Sequence, residues 1–178
     1  VVGGGVGCAI AYPIAKALHE QGCAVHSVIG FRNKDLVLLE DEFRAVSDQL
    51  RIVTDDGSYG EKGLVTNALE SLIQAGNAYD RVIAIGPLPM MKFVSLLTKK
   101  HGIPTVVSMN SVMVDGTGMC GGCRLTVGGE IKFACVDGPE FDGHLVDFDE
   151  AASRARMYEE FETRARDEAC RLLNREED

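Results

Sequence analysis

Over residues 1–110, short runs of Val and Ile alternate with stretches whose apolar residues recur at three- and four-residue steps. That alternation predicts parallel strands joined by crossover helices. The strand candidates are Val1-Val2, Ala24 to Ile29, Leu50 to Thr54, Arg81 to Ile85 and Thr105 to Met109; helices are expected around Ile14 to Gln21, Leu36 to Val46, Leu64 to Gln74 and Met90 to Lys100. Right-handed crossovers wind such a chain into an open α/β sheet with its ligands at the carboxyl ends of the strands. Past Met109 the pattern breaks. Residues 110–145 are dense in glycine, hold three cysteines and offer one hairpin, Arg124 to Val127, Gly128-Gly129 and Glu130 to Ala134. From about Asp149 to Asn174 the chain is charged, with Ala155, Tyr158, Phe161, Ala165, Ala169 and Leu172 marking one side of an expected helix packed on the domain or on a partner. The division expected is a main domain over 1–110, a small loop-rich domain over 111–148 and a terminal helix over 149–178.

Three loops fall on the ligand edge of this sheet. Gly3-Gly4-Gly5-Val6-Gly7 lies between a strand stub and a helix, where bare amides and a helix N-terminus can receive a pyrophosphate. The dinucleotide fingerprint is nevertheless incomplete: counted from Gly5, its third glycine is replaced by Ile10, and the second strand runs into Gly30-Phe31-Arg32 rather than an acidic residue. An ordinary Rossmann dehydrogenase is therefore disfavoured, and a glycine-rich turn without a ligand stays open. Pro13 suits the first turn of a helix, which leaves residues 3–11 as a long loop. The other two loops are Thr54 to Gly60, with Asp55 and Asp56, and Gly86-Pro87-Leu88-Pro89-Met90-Met91; either could be a plain turn. No GxxxxGK[ST] motif is present, so a nucleoside-triphosphatase has no support.

Charge and cysteine usage narrow the classes further. With 18 basic and 27 acidic residues, a formal charge of -9 repels nucleic acid and anionic lipid, so neither is an expected partner. No apolar run approaches the roughly 20 residues of a membrane span and no secretory signal opens the chain, which reads as cytoplasmic. The 178 residues allow one ordinary core and a small appendage. Val1-Val2 runs at once into the glycines, so the first strand is expected to be cut short and the chain to be a piece of a longer protein.

Cys120, Cys123 and Cys135 cluster, whereas Cys8, Cys23 and Cys170 stand apart, and clustering favours a metal site over disulfides. Asp115-x4-Cys120-x2-Cys123-x11-Cys135 follows the C-x4-C-x2-C…C spacing of plant-type 2Fe-2S proteins with aspartate as first ligand. Gly116, Gly118, Gly121 and Gly122 let backbone amides approach the cluster sulfides. A structural zinc site with these cysteines is the rival, and an unliganded CxxC a third possibility. His19, His26, His101 and His144 read as surface or packing residues, and no catalytic side chain is nominated.

The stretches GGGVG, IGFRNKDLVLLEDEF, TDDGSYGEKG, IGPLPMMKF and DGTGMCGGCR with FACVDGPEFDGHLVDF resemble the ferredoxin-NADP reductase-like electron-transfer subunits over about residues 1–148. Two groups are similar: the flavin-bearing small subunit of NADH-dependent reduced ferredoxin:NADP+ oxidoreductase, also described as sulfide dehydrogenase, and the electron-transfer subunit of dihydroorotate dehydrogenase B. The second has cysteine as first cluster ligand, so Asp115 points to the first. The resemblance implies a five-stranded parallel sheet of order 3-2-1-4-5, a small cluster domain, and an amino-terminal flavin barrel that this chain lacks. It implies that Gly4, Gly5, Val6 and Gly7 approach the pyrophosphate, that Arg32, Asp55 and Asp56 lie near the adenosine ribose, and that Gly86, Pro87 and Met90 border the nicotinamide. The function implied is that of an NAD(P)H-dependent oxidoreductase subunit passing electrons between NAD(H) or NADP(H), FAD shared with the barrel, and a 2Fe-2S cluster. Its partners would be a larger flavin/iron-sulfur subunit and ferredoxin, without which this piece is expected to be inactive. From another class, the alternative is a zinc-stapled NAD(H)-binding module without redox chemistry.

Overall fold

The structure, a computed structural model, describes residues 1–173, with side chains described as far as Ala169. Its first part alternates as expected: β1 (Val2–Gly4), α1 (Gly7–Glu20), β2 (His26–Phe31), α2 (Glu40–Val46), β3 (Gln49–Thr54), β4 (Glu61–Lys62), α3 (Val65–Gln74), β5 (Val82–Ile85), α4 (Leu88–Lys100) and β6 (Thr105–Ser108). There follow the hairpin β7 (Arg124–Val127) and β8 (Glu130–Phe133), the single turn α5 (Ala134–Asp137), β9 (Glu140–Asp142), α6 (Phe148–Ala155) and α7 (Glu159–Leu173). The main sheet has the order β4-β3-β2-β1-β5-β6-β9. Its five central strands reproduce the order 3-2-1-4-5, and two short strands widen it, β4 in parallel and β9 antiparallel to β6.

Because side chains alternate across a strand, neighbouring residues feed opposite layers. Val28 joins Val2, Leu69, Met91 and Val94 beneath α3 and α4. Ile29 joins Cys8, Ala11, Ala15, Phe43 and Ile85 beneath α1 and α2. The first core continues through Cys123, Leu125, Ala134, Phe141 and Phe148, so the cysteine-bearing segment packs on the same layer as α4.

The helices depart from the sequence reading in three places. α1 begins at Gly7 rather than near Pro13, which sits inside it. Pro13 is exposed, so the carbonyl its missing N–H leaves free can bond water, while Cys8, Ala11 and Ala15 bury the opposite side. The helix expected from Leu36 is broken: Lys34–Leu36 form a 3-10 turn, Leu39 adopts a left-handed φ of 58°, and α2 starts only at Glu40. The terminal helix is two helices. α6 buries Phe148 and Ala151, whereas α7 leaves Phe161 66% exposed, and i→i+3 bonds tighten the chain between them at Arg156 and Met157. Asn174 and the side chains of Cys170 and Leu172 lie outside the described residues. No helix among the described residues is long and apolar enough to cross a membrane.

Candidate functional site

At the carboxyl edge of the sheet, the turn after β1 and the turn after β5 are pressed together. A Cβ added at Gly4 would stand 2.4 Å from the Met90 sulfur and 3.0 Å from Pro87. One added at Gly7 would meet the Ile85 carbonyl oxygen at 2.5 Å and Gly86 at 2.8 Å. Gly7 is therefore required by backbone packing, whatever else the loop does, whereas at Gly4 the added atom would meet the Met90 and Pro87 side chains. Gly5 differs: its φ is +54° and its Cβ direction opens on empty space. The N–H groups of Val6 and Gly7 find no acceptor among the described residues, and α1 has neither a side-chain cap nor an acid in its first turn. α4 likewise starts without an acid, with Pro87 as its N-cap residue. Two helix N-termini thus converge on one uncapped, uncharged spot, which suits a diphosphate. Gly4, Gly5, Val6, Gly7, Gly86, Pro87 and Met90 belong to this junction.

Arg32, Asp55 and Asp56 lie farther along the same edge, where Phe31 is in register with Thr54. The Asp55 and Asp56 amides donate to the Phe31 and Arg32 carbonyls at 3.0 and 3.3 Å, and all three side chains are exposed. Asp56 is occupied by its own turn: its carboxylate accepts from the Ser58 hydroxyl at 2.7 Å and the Ser58 amide at 2.9 Å, which hold it below its ordinary range. Asp55 and Arg32 make no ion pair among the described residues. No local pattern signals the brace behind this loop, in which the Tyr59 hydroxyl donates to Glu40 at 2.9 Å and Arg44 pairs with Glu40 at 2.6 Å.

Asp115, Cys120, Cys123 and Cys135 come together beyond β6 in two pairs. The Asp115 carboxylate accepts the Thr117 amide at 2.9 Å and the Cys120 amide at 2.8 Å, with the Cys120 thiol beside it. Those bonds, Thr117 first, hold Asp115 below the usual carboxylate range and keep it an ionised donor. Cys123, 1% exposed, lies against Cys135, and its thiol pushes that of Cys135 upward. Cys135 stands on the turn α5, just past the hairpin. Backbone amides aim at sulfur: Gly122 at Cys120 and Cys135 at Cys123, both 3.4 Å, and Gly118 at Cys135. Asp137 takes no part in either pair, because its carboxylate accepts the Phe133 amide at 2.7 Å.

No three His, Cys, Asp or Glu side chains among the described residues converge on a single-ion position. A tetrahedral zinc site takes its donors around one ion, whereas a two-iron cluster takes two protein donors on each iron. Asp115, Cys120, Cys123 and Cys135 are donors that either centre could use, and the N–H groups turned to sulfur suit a cluster. The four histidines stand apart from it: His26 bonds Tyr79 at 2.8 Å and His144 bonds Thr98 at 3.0 Å. A cleft of about 200 Å³ beside Lys92, Lys99 and His144 touches neither the glycine junction nor the cysteines.

Two family profiles match the chain: the oxidoreductase NAD-binding domain over residues 1–96, and the iron-sulfur cluster binding domain of dihydroorotate dehydrogenase B over 110–147. An uncharacterized protein of the adh 3' region of Clostridium beijerinckii is 56% identical, over 92% of this chain and 56% of its own length. A homolog of the electron transfer subunit of dihydroorotate dehydrogenase B (NAD(+)) from Thermotoga maritima is 54% identical, over 91% of this chain and 57% of its own. Among solved structures, a chain of NADH-dependent reduced ferredoxin-NADP oxidoreductase, studied for flavin-based electron bifurcation, superposes with a TM-score of 0.85 at 50% identity, over 95% of this chain and 60% of that one. The chain thus spans little more than half the length of the relatives it matches.

Proposed function

Since the chain belongs to the oxidoreductase NAD-binding domain family and carries an iron-sulfur binding region after that domain, we propose that it is the nucleotide- and cluster-bearing part of an electron-transfer subunit. The observation that carries this reading is the pairing of Asp115 with Cys120 and of Cys123 with Cys135, on the same chain as an uncapped, acid-free junction of helix N-termini. Asp115 and Cys120 would hold one iron, and Cys123 and Cys135 the other. Val6 and Gly7 would bind the pyrophosphate through their amides, and Gly86, Pro87 and Met90 would border the nicotinamide. Arg32 and Asp55 would flank the adenosine ribose, with Asp55 favouring NAD(H) by repelling a 2′-phosphate.

A flavin held with a barrel domain supplies the exchange between the hydride of the nucleotide and the single electrons an iron-sulfur centre accepts. The residues here bind and orient; none is asked to move a proton. Proposed partners are a larger flavin/iron-sulfur subunit and ferredoxin, in the cytoplasm, where thiols stay reduced; the described cysteines are all free. The relatives' names favour dihydroorotate dehydrogenase B as a second reading, and Asp115 in place of a first cysteine favours the ferredoxin-linked enzyme.

Anaerobic reconstitution with iron and sulfide tests this. Two irons and two sulfides per chain are expected, with Asp115→Cys keeping the cluster at an altered potential and Asp115→Ala weakening it. A colourless chain that binds one zinc instead would replace the redox reading by the zinc-stapled one. Unchanged cluster content and potential in Asp115→Ala would remove Asp115 from the ligand set.

A further inference from the structure

We propose that Arg154 is a positioning residue for the cluster: it grips the Gly121-Gly122 peptide from outside the ligand loop and raises the reduction potential of the centre. The inference rests on the 2Fe-2S reading above. Arg154 lies on α6, beyond residue 147 where the iron-sulfur family match ends. Its Nη2 donates to the Gly121 carbonyl at 3.3 Å, across 33 residues of sequence. The same carbonyl accepts the Arg124 amide at 3.3 Å, so its oxygen is held from two sides.

A trans peptide fixes its N–H opposite its C=O. Holding the Gly121 oxygen therefore aims the Gly122 N–H the other way, and that N–H points at the Cys120 sulfur, 3.4 Å distant. The unit needs glycine, because Gly121 has φ +68°. Donation to the carbonyl also polarises the amide, which strengthens its N–H as a donor to sulfur.

The helix that carries Arg154 is held in place. Phe148 and Ala151 bury the inner side of α6, the Asp147 carboxylate caps it by accepting the Asp149 and Glu150 amides at 3.1 and 2.9 Å, and Lys92 ties Asp149 to α4 at 2.5 Å. Arg154 follows Ala151 by three residues and so shares its side of the helix. A permanently charged group bonded into the loop stabilises the more negative, reduced form of the centre. It thereby opposes the electron donation of the Asp115 carboxylate on the same half of the site. Residues of this kind outside the ligand set commonly orient ligands and tune a metal.

The test compares the reconstituted full chain with Arg154→Ala, Arg154→Gln and Arg154→Lys, using iron and sulfide content, a potentiometric titration followed by electron-spin resonance, and NADH binding. Arg154→Ala is expected to keep two irons and two sulfides, to bind NADH as before and to titrate at a lower potential with a changed spin signal. The expected size is about a tenfold lower ratio of reduced to oxidised cluster at the wild-type midpoint, or about 59 mV for a one-electron couple. Arg154→Gln, which keeps a donor for Gly121 without the charge, should fall between, and Arg154→Lys should restore part of the shift. An unmoved potential and spin signal in Arg154→Ala at full cluster content would overturn the inference. Should Arg154→Ala lose the cluster, an unmoved potential in Arg154→Gln would overturn it equally. A wild-type chain without two irons and two sulfides would sink the cluster reading first, and this inference with it.

Discussion

The glycine junction and the cysteine loop use the same small residue for opposite ends. At the junction, Gly4 and Gly7 let two turns touch, with neighbouring atoms 2.4 to 2.8 Å from where a Cβ would stand. That half of the site is built by the sheet and is finished before any ligand arrives. In the cysteine loop, Gly116 has open space where a Cβ would stand, and Cys120 and Met119 are exposed. The loop is held by one carboxylate, three thiols and a few amides. At Gly4 and Gly7 the first region has no room for an added atom, while the second depends on keeping its donors.

Three substitutions probe this contrast, the largest effect first. Cys123→Ala should abolish cluster assembly while leaving NADH affinity in place, read by iron and sulfide content beside calorimetric titration of the nucleotide. Loss of nucleotide binding in that variant would mean that the two regions stand or fall together. Gly7→Ala should do the reverse: forcing a methyl against the Ile85 carbonyl costs about 1–3 kcal/mol of stability and weakens NADH binding, with cluster content unchanged. An unaltered denaturant midpoint would show that the turns can move apart. Asp55→Ser, the mildest, should raise the affinity for NADPH relative to NADH about 1.5-fold to fivefold, the range of one screened surface charge. Wild-type chain that already prefers NADPH would show Arg32 to dominate that part of the edge.

How far the chain could be read in advance follows the same contrast. Strands rich in Val and Ile and the Asp-Cys-Cys-Cys spacing are local signals; the five-strand order appears in the fold, and Cys120 lies beside Asp115 and Cys135 against Cys123. Features decided by distant packing were not legible. Pro13 looks like a helix start until Cys8 and Ala11 are seen buried a turn earlier, and β4 and β9, of two and three residues, are too short to leave a period. Arg154 reads as one more charge on a polar helix, and nothing within a turn of it in sequence points to Gly121.

One connection has a consequence in time. The chain leaves the sheet after β6, and β9 brings it back antiparallel onto that same strand, with the Met109 amide bonded to the Pro139 carbonyl at 2.8 Å. Synthesis runs from the amino end, and amino-terminal units fold first. Strands β1 to β6 emerge before Cys120, Cys123 and Cys135, so the sheet can close around its nucleotide edge while the cysteine loop is still being made.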